Sequence, residues 1–199
     1  MTAETVLTNV LLEIGIDNPS AQLTSSDFSI RQIKAMMNAA GKDIARRAEW
    51  SRLYKAFSIA GGLSESVLPS DFQEMAEKGA VRLNKAGFYP VRPVIAPEQW
   101  AFLTARPSTQ PYYHLAAGKI LFSPVLDDDG AIVRYVSKNW VEGKPEITQN
   151  GDNLLVPERL VEKGTIWRWK RQKGLPYDDI LAEFEADLMT EIAADRGNG

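Results

Sequence analysis

The stretch from Thr165 to Ile192, TIWRWKRQKGLPYDDILAEFEADLMTEI, reads as two helices joined at a Gly174-Leu175-Pro176 corner, and everything before it has to pack against that pair. Gly174 can take the left-handed conformation that ends the first helix, and Pro176 has the fixed φ and missing donor suited to a first helical position. In the second helix Tyr177, Leu181, Phe184, Leu188 and Ile192 recur at steps of four and three, which lines them along one face. Burying these side chains is worth roughly 8 to 15 kcal/mol before ordering entropy is subtracted, so the face is expected in a core. The remaining surface carries Asp178, Asp179, Glu183, Glu185, Asp187 and Glu191, with the two aspartates in the first turn, where the helix dipole favours anions.

The preceding helix is expected over 157–173. Leu160, Gly164 and Trp167 share a face, whereas Trp169 lies about 200° further round the wheel. Gly164 leaves room for a crossing helix beside Trp167, which places Trp167 inward. Trp169 then either packs under the middle of the chain or meets a neighbouring subunit. Arg168, Lys170, Arg171 and Lys173 crowd the C-terminal end, where cations suit the dipole and where a solvated basic end is the plain alternative to an interface.

Upstream, Val6, Leu7, Val10, Leu11 and Ile14 mark a short helix over 4–15, followed by an Asn18-Pro19 break. Ile30, Ile33, Met37, Ala40 and Ile44 mark a longer helix over 27–48, capped by Ser26 or by a Ser29/Gln32 box with Phe28 stapled to Ile33. After Trp50 the pattern turns to strands: 53–60, 66–68, 81–83 and 90–95, then a 112–122 hairpin across Ala117-Gly118, then 132–141. A helical turn or two with Trp100 and Leu103 on one face interrupts them at 96–105. Turn chemistry fills 142–155. The expected fold is α+β, mainly α: a four-helix bundle made by 1–50 and 154–199, with a β-rich insertion over 51–153.

At 199 residues the chain can build a real core, and 44% hydrophobic with 25% charged residues is ordinary for a soluble protein. No apolar run approaches a membrane span, and MTAETVLTNV has no basic segment leading into an apolar one, so no secretory signal and no membrane association are expected. A cytoplasmic site, or an assembly made there, follows. Zero cysteines exclude disulfides and thiolate chemistry, and a net charge of −3 argues against a protein built to grip phosphates. His114 has no cysteine or second histidine to share a metal. Asp127-Asp128-Asp129-Gly130 lacks the spacing of a calcium loop, and Asp178-Asp179 fits a dipole role better than hydrolysis. No nucleophile elbow, phosphate-cradling loop or dinucleotide fingerprint occurs. The expectation is a binding or structural protein, not an enzyme, with no catalytic residue, metal or cofactor.

Four pieces in order resemble the head-to-tail adaptor family of tailed bacteriophages, the head completion or tail tubular protein A type. They are Ile44-Ala45-Arg46-Arg47-Ala48-Glu49-Trp50; Leu68-Pro69-Ser70-Asp71-Phe72; Gly118 to Pro124 leading to Tyr135 to Val141; and Glu162 to Lys170 with Gly174 to Tyr177. The likeness runs over about 5–195. It implies a ring, typically of twelve subunits, beneath a twelve-fold portal protein. The bundle would face the portal, and the β part the tail or a nozzle or stopper protein. Double-stranded DNA would pass through the channel without sequence-specific binding, and the site would be the neck of the virion. Trp169, Arg168, Arg171, Lys173, Asp179, Glu183, Asp187 and Arg196 are the candidate subunit or portal contacts, and the tail 195–199 is expected to order only against the portal. Alternatives are a sheet-based nucleic-acid or ligand-binding module using Tyr112, Tyr113, Tyr135 and Trp140, another neck protein such as a stopper or tail terminator, and carboxylate-based hydrolysis.

Overall fold

The computed structural model describes residues 2–18, 20–77, 80–87 and 89–197; Pro19 of the expected break and Asn198-Gly199 of the tail lie outside them. The elements in order are α1 (Ala3–Glu13), α2 (Phe28–Arg47), a one-turn 3-10 helix (Ser51–Leu53), β1 (Tyr54–Ile59), β2 (Glu65–Val67), β3 (Phe72–Met75), β4 (Val81–Leu83), β5 (Arg92–Pro93), α3 (Pro97–Ala105), β6 (Tyr112–Ala116), β7 (Lys119–Ser123), β8 (Ala131–Ser137), α4 (Glu158–Gln172) and α5 (Asp178–Gly197). The fold is α+β: helices from the two ends of the chain pack together, and two sheets are inserted between them. Two compact units result, Met1–Leu53 with Lys138–Gly199, and Tyr54–Ser137.

In the helical unit α4 packs against α1, α2 and α5. The α2 stripe of Ile30, Ile33, Met37, Ala40 and Ile44 is fully buried, and so are Leu160, Val161 and Thr165 of α4 and Phe184 and Leu188 of α5. Gly164 is buried where α2 crosses: a Cβ there would lie 2.9 Å from the Cβ of Ala40 and 3.3 Å from the ring of Phe184, so the close approach needs glycine. Trp167 does not join that face. It is half-buried, stacked on Tyr177 with ring centres 6.3 Å apart, beneath the Arg168 guanidinium at 4.2 Å. The reason is that helices cover α4 on several sides, so its deepest face falls on Leu160, Val161, Gly164 and Thr165.

The expected insertion reaches 153, but the structure places 138–156 with the helices. Trp140, Val141, Ile147, Leu154 and Val156 are buried there. Trp140 lies so close over α2 that a Cβ on Gly41 would fall 2.3 Å from its ring. Polar stitches hold the segment: Asn38 exchanges two hydrogen bonds with Ile147, Lys34 donates to the Thr148 carbonyl, and Asn150 accepts from the Leu23 amide at 2.7 Å. The Asn150 and Asp152 carbonyls accept from the Glu4 and Ala3 amides, satisfying donors at the open end of α1.

Helix ends differ in detail from expectation. Asp27 caps α2, accepting from the Ser29 and Ile30 amides at 2.8 and 3.1 Å, so neither Ser26 nor a Ser29/Gln32 box is used; Phe28 is 71% exposed and staples nothing. Gly174 ends α4 at φ +69°, and the Leu175 amide donates to the Lys170 carbonyl at 2.9 Å. Pro176 sits one residue before Tyr177, whose carbonyl accepts the first bond of α5 from Leu181. The tail is helical to Gly197, and Asp195 accepts from the amide and hydroxyl of Ser51 at 2.8 and 2.7 Å. That part of the tail packs against its own chain, where the sequence reading expected order only against the portal.

In the β-rich unit β8 is the hub of one sheet, pairing antiparallel with β1, β3 and β4. The second sheet runs β2-β7-β6-β5, with only the short β5–β6 pair parallel among its described pairings. The β6–β7 hairpin turns at Ala117 and Gly118, both at positive φ, 49° and 73°, as a two-residue hairpin of this type requires. β8 stops at Ser137, short of the expected Val141, because the chain passes there into the helical unit. Ile59, Val81, Val91, Tyr113, Ile120, Phe122, Leu126 and Val133 share the core. None of the residues of α3 is buried.

Candidate assembly interface

Geometry gives residues in all four sequence pieces a part in holding the chain together. Arg47 on α2 clasps Glu185 on α5 through two hydrogen bonds of 2.6 and 2.8 Å, and Asp43 accepts from both Arg47 and Arg168 of α4. Burial pushes Arg168 down while Asp43 opposes the shift, and the Glu185 contact pushes Arg47 up. Two arginines and two carboxylates thus tie α2, α4 and α5. Trp50 is buried and donates its indole N–H to the Ile44 carbonyl at 2.8 Å.

Asp71, in the Leu-Pro-x-Asp-Phe turn, performs the equivalent task in the β-rich unit. It accepts from Lys55 Nζ at 2.6 Å, the Tyr135 hydroxyl at 2.9 Å and the Ser137 hydroxyl at 2.8 Å, joining the turn to β1 and β8. Phe72 stacks on Tyr135 and Phe57 meets it edge-on. Burial alone would raise the Asp71 carboxyl, but the bonds from Lys55, Ser137 and Tyr135 outweigh it and hold the group at about 2. Burial and the Asp71 charge push Tyr135 up to about 12. The pair is therefore locked as anion and neutral phenol, the reverse of the matched values that proton transfer near neutrality needs.

The other chemistry-bearing residues have structural places. His114 stacks on Trp100 with ring centres 5.3 Å apart, its Nδ1 2.7 Å from the Val94 carbonyl. Asp127 pairs with Lys85 at 3.3 Å and its carbonyl accepts from Gly130 in the turn before β8. No group of three His, Cys, Asp or Glu among the described residues is arranged to hold a metal ion. Tyr113, Tyr135 and Trp140 are buried, and Trp140 is not in a sheet, so the aromatics named for base stacking form no exposed platform. A cleft of about 390 Å³ in the β-rich unit is lined by Lys85, Tyr89, Arg92, Pro124 and Asp127 among others; Lys85 spans it, 4.7 Å above the Tyr89 ring and paired to Asp127.

Of the expected contact residues, Arg168, Glu183 and Asp187 have ion-pair partners inside the chain. Arg168 is committed to Asp43 and to the Gly164 carbonyl. Glu183 and Asp187 both take Lys163 of α4, at 2.8 and 2.9 Å, and Arg159 meets Asp187 at 3.0 Å. Lys163 lowers Asp187, and Asp187 in turn raises Lys163. These pairs zip α4 to α5. Arg171, Lys173, Asp179 and Arg196 are exposed, and Trp169 is half-buried with Lys173 Nζ 5.8 Å above its ring. Sequence reasoning missed the side of α5 opposite its core face, where Ala182, Ala186, Met189 and Ala193 are exposed at steps of four, three and four. Glu183, Glu185, Asp187 and Glu191, interleaved with them, break up that period in the sequence.

The helical unit thus has exposed helix faces, apolar and charged, while the clusters around Arg47 and Asp43 hold its helices together. The chain belongs to the SU10 adaptor protein family, whose model matches residues 1–198; these are structural, non-catalytic head-to-tail adaptors of phages. No curated protein matches the chain. No helix among the described residues is long and apolar enough to cross a membrane.

Proposed function

We propose that the chain is a wedge in a closed ring, of twelve copies, that joins the portal to the tail in the neck of a tailed phage. The bundle of 1–53 and 138–197 faces the portal and the β-rich unit faces the tail or a nozzle or stopper protein. DNA passes through the ring without sequence-specific contact. The observation that carries the reading is the match of the family over residues 1–198. Supporting it, Arg171, Lys173, Asp179 and Arg196 are exposed and have no ion-pair partner among the described residues, and rim charges set register and orientation more than affinity. A net charge of −3 suits a conduit that must not hold DNA by its phosphates. Mixing the purified chain with the portal of the same phage is expected to give rings with one copy per portal subunit by electron microscopy. Failure to form stoichiometric rings on an intact portal would sink the reading, whereas a monomer on gel filtration without portal would not.

A further inference from the structure

Helix α5 is apolar on two opposite sides. Phe184 and Leu188 point into the core, and Met189, 67% exposed, points out with Ala182, Ala186 and Ala193 beside it. An outward face is ordinarily polar. This one is apolar along its length and acidic at its start, where Asp178 and Asp179 have no ion-pair partner among the described residues. On α4 the arrangement is complementary. Lys163, Arg159 and Trp167 face α5, through Glu183, Asp187 and Tyr177. Trp169, two residues beyond Trp167, is turned about 200° away from α5, with Lys173 over its ring and without an acidic partner among the described residues. The unit thus has an acidic and apolar flank on α5 and a basic and aromatic flank on α4, directed to opposite sides.

The geometry points to these flanks as the two halves of one contact between copies: the outer face of α5 in one subunit seats against Trp169 and Lys173 of the next. This rests on the ring reading and adds which faces close the ring. A head-to-tail contact needs two different, mutually complementary surfaces rather than one that matches itself. Both flanks start at the corner of Gly174 to Tyr177. A rotation that keeps this corner at one height therefore sets Asp179 of one copy opposite Lys173 of the next, with opposite charges in register. Trp169 and Ala182 each lie about 6 Å up their helices from the corner. The indole would then lie over alanines, whose small side chains let it approach the α5 backbone.

The sequence contains no cysteine, so an introduced pair is unique. The full-length double variant Ala182→Cys with Gln172→Cys leaves Trp169, Lys173 and Asp179 in place. Assembled on the portal and treated with a short thiol cross-linker, it is expected to give a ladder of covalent multimers on a denaturing gel, while either single variant gives only monomer. Dimer from Ala182→Cys alone would reveal a two-fold contact and overturn the inference. Cross-links to the portal chain would overturn it too, as would absence of a ladder in assemblies that microscopy shows to be rings; in that last case the ring reading stands and only the faces are wrong. If no ring forms on the portal, the ring reading falls, and the chain alone at high concentration decides the faces: a ladder upholds the pairing and its absence overturns it.

Discussion

The two units solve the same problem with different materials. The helical unit adds ion pairs such as Arg47–Glu185 to a core set by close approach, with Trp140 lying over Gly41 and Ala40 against Gly164. In the β-rich unit short strands bury less each, and one carboxylate, Asp71, draws a lysine, a tyrosine and a serine onto the turn before β3. The β-rich unit also leaves Val67, Ile95, Phe102 and Val125 more than half exposed, while in the helical unit such exposure falls on Leu12, Phe28 and Met189. The contrast teaches where tolerance lies. A close-packed helix crossing fails by volume, whereas a polar turn fails by charge and pH.

The largest effect should come from Trp140→Ala. Its side chain is fully buried, and removing an indole from such a site costs about 3 to 5 kcal/mol, read as a lowered urea midpoint with the slope unchanged. Gly41→Ala, which drives a methyl into the same ring, should cost about 1 to 3 kcal/mol or more. If Gly41→Ala were neutral, the indole would have room to move and the close-packing side of the comparison would be broken.

Next in size is the carboxylate. The folded Asp71 group sits at about 2, below its ordinary 3.8. Its stabilisation is therefore complete above the unfolded value and is lost as pH falls from about 5 toward 2, on the order of 2 kcal/mol in all. Asp71→Asn should remove a similar amount at pH 7 and flatten the acid dependence of amide exchange at Tyr135 and Ser137. The helical unit has a counterpart in Asp152, which accepts from the Thr148 and Gln149 amides and pairs with Lys144 at 2.7 Å. Burial would raise Asp152, but those bonds outweigh it and the net shift is downward, so it too loses stabilisation in acid. An Asp71→Asn variant whose acid sensitivity matches the parent would show that the polar network does not anchor the β-rich unit.

Much of this was legible in the sequence because periodicity reports burial directly. The stripe Ile30 to Ile44, the Phe184 and Leu188 centre of the α5 face and the Ala117-Gly118 hairpin are local patterns, and each lies where its spacing placed it; Tyr177, Leu181 and Ile192 of that face are only half-buried. Residues 138–156 were not legible: 138–141 reads as the end of a strand and 142–155 as turns, which hides that Trp140, Ile147 and Leu154 are core residues of the helical unit, and only partners far away in sequence, such as Gly41 and Asn38, reveal it. Among the candidate contact charges, the sequence does not separate those with ion pairs inside the chain from those with none among the described residues. Arg168 and Glu183 look alike with Lys173 and Asp179 on a helical wheel, and what separates them is which helix lies alongside.

The smallest effects test the two indoles of α4. Trp167 stacks on Tyr177 and lies under Arg168, so Trp167→Ala should cost about 1 to 2 kcal/mol, less than a fully buried indole. Its indole N–H is buried without a hydrogen-bond partner among the described residues. Trp167→Phe, which keeps a ring and removes that donor, should therefore recover most of the loss. Trp169 contributes a contact with Lys173 at the helix end, and Trp169→Ala should change chain stability by under about 1 kcal/mol while reducing ring yield on the portal. Equal thermal destabilisation by both alanine variants, with assembly intact, would mean that both indoles serve the fold and that the outward side of α4 is not a contact.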